Sequence, residues 1–111
     1  MRDPLEHADN DGRPLIHALL SVPEWRDTYL AHVAQINREW MDWQRIGPVI
    51  EGYRILIEDA VAQDPLGPGT AGFDRAIEGG VGLSSLRGFF DARHEYLAEH
   101  PALEAVDKDA R

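Results

Sequence analysis

Apolar residues recur every three or four positions along most of this chain, which is the spacing of amphipathic helices rather than of strands. A short first helix is predicted at about 14–20, where Pro14 suits the first helical position. A second helix is predicted from near Pro23 to about residue 41. Its apolar stripe comprises Trp25, Tyr29, Val33, Ile36 and Trp40.

Side-chain caps are predicted ahead of both long helices. Ser21 and Glu24 have the spacing of a capping box at the start of the second helix. Asp42 is a suitable cap for a third helix at about 43–62, where Gly47-Pro48 falls inside the apolar pattern. The third helix therefore either kinks at this point or begins at the proline. Its stripe comprises Ile46, Val49, Ile50, Tyr53, Ile57 and Val61.

The second half of the chain predicts two shorter helices. A cluster of prolines and glycines ends the third helix, and Thr70 then caps a short helix at 73–78. Ser84 or Ser85 caps a last helix that ends near residue 99. The pattern as a whole predicts an all-α fold, a compact bundle of four to five short-to-medium helices with no sheet.

The same pattern predicts how the chain is organised. Residues 1–13 are expected to form a lead-in loop, residues 14–99 a helical domain, and residues 100–111 a frayed polar tail. The two long stripes and an aromatic pair on the last helix supply the expected core. Its members are Trp25, Tyr29, Val33, Ile36, Ile50, Tyr53, Ile57, Phe89 and Phe90.

Composition limits the classes of function. The chain has 111 residues, which suffices for one domain. With 11 basic and 20 acidic residues its formal charge is −9, which argues against nucleic acid as a partner because phosphate binding needs a basic surface. Cysteine is absent, so disulfides and thiol chemistry are excluded. No stretch has the roughly 20 apolar residues that a membrane span requires.

The residues with possible chemistry have simpler structural interpretations. Glycines 67, 69 and 72 match a dinucleotide fingerprint, but a helix precedes them where the fingerprint needs a strand. Acidic residues from Asp9 onwards suggest a calcium loop, yet the position that requires a bidentate glutamate holds Leu20. The histidines are too dispersed for a zinc site. We therefore expect no catalytic, cofactor-binding or metal-binding residue in this chain.

Four stretches along the chain follow a recognisable order of residue types. The first contains Pro-Leu-x-x-x-Leu-Leu followed by Pro-Glu-Trp-Arg-x-x-Tyr-Leu, and the last contains Leu-x-x-Phe-x-x-x-Arg-x-x-Tyr-Leu. Together they resemble the C-terminal helical region of the spore-coat CotH kinase family. The stretches lie at 13–30, 60–64, 73–78 and 86–97.

The resemblance implies a structural role. Family members are atypical protein kinases, many of them secreted, and their ATP- and metal-binding residues lie in an earlier segment that is not in this sequence. The chain would then be a C-terminal subdomain that supports an upstream kinase core, without an active site of its own. ATP, a divalent metal and a secreted or cell-surface location are implied for the full-length family only. Whether the chain itself is an enzyme is left open.

A surface that meets a partner is expected among the apolar residues outside the two long stripes. Leu15, Leu19, Leu20 and Trp43 are the candidates, because five short helices offer more apolar faces than one small core can cover. The partner would be the kinase core. The alternative function is a free-standing, acidic, helical protein-interaction module that docks a basic or apolar partner.

Overall fold

The computed structural model of this protein describes residues 1–80 and 82–109. Within these residues the chain is all-α, with no strand, which confirms the predicted fold class. The described residues form six α-helices, one or two more than expected. They are α1 (Pro14–Ser21), α2 (Pro23–Trp40), α3 (Trp43–Gln63), α4 (Gly69–Asp74), α5 (Leu86–Ala98) and α6 (Pro101–Asp109).

The chain forms two compact units. The first comprises Met1–Arg38 and Tyr96–Arg111, and the second comprises Glu39–Glu95. The first unit therefore holds α1, α6 and most of α2, while the second holds α3, α4 and most of α5. A single helical domain at 14–99 was expected, whereas the first unit joins the N-terminal segment to α6.

The start of α3 follows its sequence signals. Asp42 is the cap, since its side-chain oxygen accepts a hydrogen bond of 2.9 Å from the backbone N–H of Gln44. Pro48 lies inside α3, so the helix begins at Trp43 and not at the proline. The capped first turn is thus complete before the proline is reached.

The short helix after the cluster of prolines and glycines begins earlier than predicted. It starts at Gly69, whose φ of +70° a residue with a side chain rarely adopts. Thr70 is therefore inside α4 and is not its cap. Beyond Asp74 the chain continues as a π-helical turn, Arg75–Gly79, in place of the predicted end of the α-helix. A 3₁₀ turn, Gly82–Ser84, then leads to α5.

The start of α5 shows which of the two predicted serines is the cap. The Ser85 hydroxyl accepts a hydrogen bond of 3.1 Å from the backbone N–H of Gly88 in the first turn. It also donates to the carbonyl oxygen of Gly80 at 3.3 Å. Ser85 is buried, and its two hydrogen bonds join Gly80 to the first turn of α5.

The predicted polar tail is helical over Pro101–Asp109, and residues 110 and 111 of that tail lie outside the described residues. Pro101 occupies the first position of α6, and the backbone N–H of Ala102 donates to Nδ1 of His100 at 3.3 Å. Leu103 is buried at the centre of the first unit. For residues 101–109 the expectation of fraying was wrong, because Leu103 and Val106, three positions apart, supply a short apolar face that packs against other helices.

The core of the first unit differs from the predicted core. Its buried cluster consists of Leu30 and Ala34 from α2, Leu97 from α5 and Leu103 from α6. Of the nine predicted core residues, only Val33, Ile50 and Phe90 are half-buried. The other six are exposed: Trp25, Tyr29, Ile36, Tyr53, Ile57 and Phe89. The bounds of α1, α2 and α3 were predicted closely, but the buried residues were not.

The lead-in segment packs against the first unit. The Tyr29 hydroxyl donates a hydrogen bond of 2.7 Å to the carbonyl oxygen of Pro4. Nδ1 of His17 lies 2.7 Å from the carbonyl oxygen of Ala8. Nε2 of His100 lies 3.2 Å from the carboxylate of Asp3. Because Nδ1 of His100 accepts from α6, its Nε2 carries the proton and donates to this carboxylate. Residues 1–13 are therefore an integral part of the fold.

Candidate functional site

The candidate site lies where α1 meets α2 in the first unit. Val22 is extended and separates the two helices, and Pro23 opens the second one. Ser21 is the last residue of α1, and its hydroxyl donates back to the carbonyl oxygen of His17. The predicted capping box is therefore wrong, because the residue that directly precedes α2 is Val22. The short connection leaves the apolar face of α1 beside the first turns of α2.

These helices enclose an open apolar groove of about 470 Å³. Leu15 stands at its edge, 74% exposed, and Leu19 is exposed beside it. Leu20 is only 6% exposed and contributes to the floor. Gly12, Arg13, Pro14, Ile16 and Tyr29 complete the lining. A contiguous exposed surface of aliphatic side chains is typical of a docking site.

The groove continues along α2. A second depression of about 350 Å³ shares Leu19, Leu20 and Tyr29 with the first and is also lined by Trp25, Thr28 and His32. The hydrogen bond from Tyr29 to Pro4 fixes the ring that both depressions share. Trp25 is exposed and offers a large apolar surface with an indole N–H at its edge. The site can therefore receive an elongated apolar element.

The groove carries little charge. Arg13 is the charged residue among those that line the larger depression, and it stands at the end where α1 begins. Carboxylate pairs, which acid–base chemistry would need, are not among the lining residues of either depression. The arrangement supports binding through apolar contact and shape.

The four predicted interface residues have different environments. Leu15 and Leu19 are exposed, as expected of an interface, but Leu20 is buried and can contribute only the floor of the groove. Trp43 is half-buried in the second unit, where its ring centroid lies 6.0 Å from that of Phe90. The guanidinium of Arg87 lies 5.8 Å from the same ring. Trp43 thus belongs to an aromatic cluster and not to the groove.

Two aromatic residues of α2 lie in a different place from the one predicted. Trp25 and Tyr29 were assigned to the core, but they line the groove. The sequence does contain a signal, because Leu30 and Ala34 form a second apolar row on α2. With two rows available, one of them can be buried while the other remains at the surface.

Arg54 organises a polar cluster in the second unit. Its guanidinium donates to Asp74 at 2.6 Å and to Glu51 at 3.2 Å. The hydrogen bond with Asp74, followed by that with Glu51, raises the pKa of Arg54 above its usual value. Arg75 and Glu78 also border the adjoining cavity of about 280 Å³. Because Arg54 already binds two carboxylates, this cluster joins α3 to the end of α4.

The remaining motifs have structural roles. Gly67 lies between α3 and α4, whereas Gly69 and Gly72 lie within α4, so the strand that a dinucleotide site requires does not precede these glycines. In the calcium-like segment, the Asn10 side chain accepts a hydrogen bond of 2.9 Å from the backbone N–H of Gly12, which forms a local turn.

Across residues 1–80 and 82–109, no group of three potential metal ligands comes together. Within the same residues, no helix is long and apolar enough to cross a membrane.

No known protein-family model matches the chain, and no curated protein or solved structure is significantly similar to it. The resemblance to the CotH kinase family therefore rests on the four sequence stretches alone.

Proposed function

We propose that this chain is a helical protein-interaction domain whose α1–α2 groove docks an apolar element of a protein partner. The observation that carries the proposal is the exposure of Leu15 and Leu19 directly above the floor formed by Leu20. Leaving large aliphatic side chains in water forgoes about 1.5–3 kcal/mol for each one that a partner could cover. The groove is thus a favourable place for a partner's apolar side chains.

The specific form of the proposal takes the partner to be a kinase core. The reason for choosing this partner is the resemblance of four sequence stretches to the CotH family. The segment at 13–30, which forms the groove, is the first of these stretches. In this form the chain supports the catalytic lobe and takes no direct part in phosphoryl transfer. ATP and a divalent metal would bind to the core.

The alternative is a free-standing acidic interaction module. The net charge of −9 favours this form where the partner carries basic residues around an apolar element. The two forms share the groove and differ in the source of the partner. Sequencing the coding frame upstream of Met1 separates them, because a kinase core in the same frame supports the first form and a stop codon supports the second.

The groove itself is tested with Leu19→Glu and a neutral solvatochromic dye such as Nile red, which the acidic chain does not repel. We expect the substitution to lower dye fluorescence while circular dichroism shows an unchanged helix content, since Leu19 is exposed. Leu66→Glu is the matched control, because Leu66 is an exposed leucine outside the groove. Unfolding by Leu19→Glu, or equal dye loss in both variants, would contradict the proposal.

A further inference from the structure

The helix α3 has an apolar stripe that is left exposed within residues 1–80 and 82–109. Every residue of α3 is described, and none of its 21 residues is buried. Val49, Tyr53, Leu56 and Ala60 lie along one side of the helix and are all exposed, Leu56 to 78%. Their steps of four, three and four residues are those of a coiled-coil seam. We call these four residues the α3 stripe.

Beside the α3 stripe, two charges of opposite sign lie at equal distances from Gly52. Arg45, Gly52 and Asp59 repeat every seven residues along one edge of it, and all three are exposed. Seven residues are two helical turns, so Arg45 and Asp59 lie about 10 Å on either side of Gly52 along the helix axis. One end of the edge is therefore positive and the other negative.

We propose that a second copy of this chain covers the α3 stripe, with the two α3 helices antiparallel and Gly52 at the two-fold axis. In this arrangement Arg45 of each copy faces Asp59 of the other, which gives two equivalent ion pairs. Tyr53 packs against Val49 of the second copy, and Leu56 packs against Ile46. A surface that is complementary to itself under a two-fold rotation is what a symmetric dimer requires.

The residue at the axis permits a close approach of the helices. A methyl group built at Gly52 would meet nothing within 4 Å in the described part of its own chain. The space beside the backbone of Gly52 is therefore free on the side where the second helix would lie. Any larger side chain at this position would hold the two helices apart at their point of closest contact.

The parallel arrangement is less favourable. In a parallel pair, edge residues meet the residue five positions further along the other helix, which places Asp59 beside Asp64 of the second copy. These are like charges at the helix end, where the carbonyl groups already carry partial negative charge. Arg45 would then lie beside Ile50 and gain no ion pair. The charges therefore select the antiparallel pair.

The dimer is tested by sedimentation equilibrium at increasing protein concentration. We expect the wild-type mass to rise towards twice the 12.5 kDa of one chain. Leu56→Glu should weaken association by at least about a hundredfold, because each copy loses a seam leucine and places a charge in the contact. Ile55→Glu is the matched control on the same helix, since Ile55 is likewise exposed, to 62%, but lies about 100° around the helix from Leu56.

Charge exchange tests the register. Arg45→Asp and Asp59→Arg should each weaken the homodimer, because each places like charges at both ends of the contact. An equimolar mixture of the two variants should form a heterodimer, since every pair in it is again of opposite sign. A wild-type chain that stays monomeric would overturn the proposal, as would equal effects of Ile55→Glu and Leu56→Glu.

A spin label on Gln63→Cys tests the direction, because the chain contains no other cysteine. Position 63 lies eleven residues beyond Gly52, so two labels in the antiparallel pair should be about 33 Å apart at 1.5 Å per residue. A distance near the ~10 Å interaxial spacing would show a parallel pair and overturn the register. Leu19→Glu should leave all these results unchanged, which separates this surface from the α1–α2 groove.

Discussion

The hydroxyl of Tyr29 donates a hydrogen bond of 2.7 Å to the carbonyl oxygen of Pro4, which lies 25 residues earlier in the chain. The contact joins α2 to the N-terminal segment at the point where the ring of Tyr29 lines the groove. Pro4 is buried, so its carbonyl group has limited access to water once this donor is removed. One tyrosine thus anchors the lead-in segment and shapes the candidate site.

Tyr29→Phe should lower the free energy of unfolding by about 1 kcal/mol, the usual net value of one hydrogen bond. Urea denaturation followed by circular dichroism measures the change. Tyr53→Phe serves as the control, because Tyr53 is exposed on α3 and loss of its hydroxyl should leave stability unchanged. Both tyrosine variants are made in the Leu56→Glu chain, so that self-association through α3 does not contribute. If both variants lose the same stability, the contact with Pro4 contributes nothing.

Leu103→Ala should destabilise the first unit by about 2–5 kcal/mol, since it removes a core side chain and leaves a cavity. Leu103 is 3% exposed and packs in the buried cluster, whereas Leu66 is 95% exposed. Leu66→Ala should change stability by no more than about 0.5 kcal/mol. Equal chemical denaturation midpoints for the two variants would mean that α6 does not pack as described.

Asp42→Ala should destabilise α3 by about 1 kcal/mol, because the N–H of Gln44 loses its acceptor. Asp42→Asn should restore most of the loss, since an amide oxygen also caps a helix. Thermal unfolding of the two variants in parallel measures the difference. The capping role is wrong if asparagine is as damaging as alanine.

Gly88→Ala should destabilise the second unit by about 1–3 kcal/mol or more, the range for overpacking. A methyl group on Gly88 would lie 1.8 Å from the carbonyl oxygen of Gly82, so the backbone must shift. Gly52→Ala is the comparison, because its methyl group would be in open space and alanine favours a helix by up to about 1 kcal/mol.

Both glycine variants are best made in the Leu56→Glu chain, so that self-association does not contribute to the measured stability. Calorimetry should then give a lower melting temperature for Gly88→Ala and an equal or higher one for Gly52→Ala. A Gly88→Ala chain that melts with its parent would show that the turn at Gly82 can move away at no cost.

Local signals in the sequence determined which segments of this protein are helical. Pro14, Pro23 and Asp42 mark helix starts through interactions within a few residues, so the bounds of α1 to α3 could be predicted closely. The short α6 escaped prediction because its apolar face has only Leu103 and Val106, and its burial depends on distant helices.

Only the tertiary structure decided which helix faces are buried. On α2, the row from Trp25 through Tyr29 and the row of Leu30 and Ala34 are offset by one position, about 100° around the helix. Periodicity identifies both rows as helical but cannot rank them. The structure buries Leu30 and Ala34 against Leu97 and Leu103, because small and branched side chains let these helices approach closely. The aromatic row is consequently left at the surface, where Trp25 and Tyr29 line the groove.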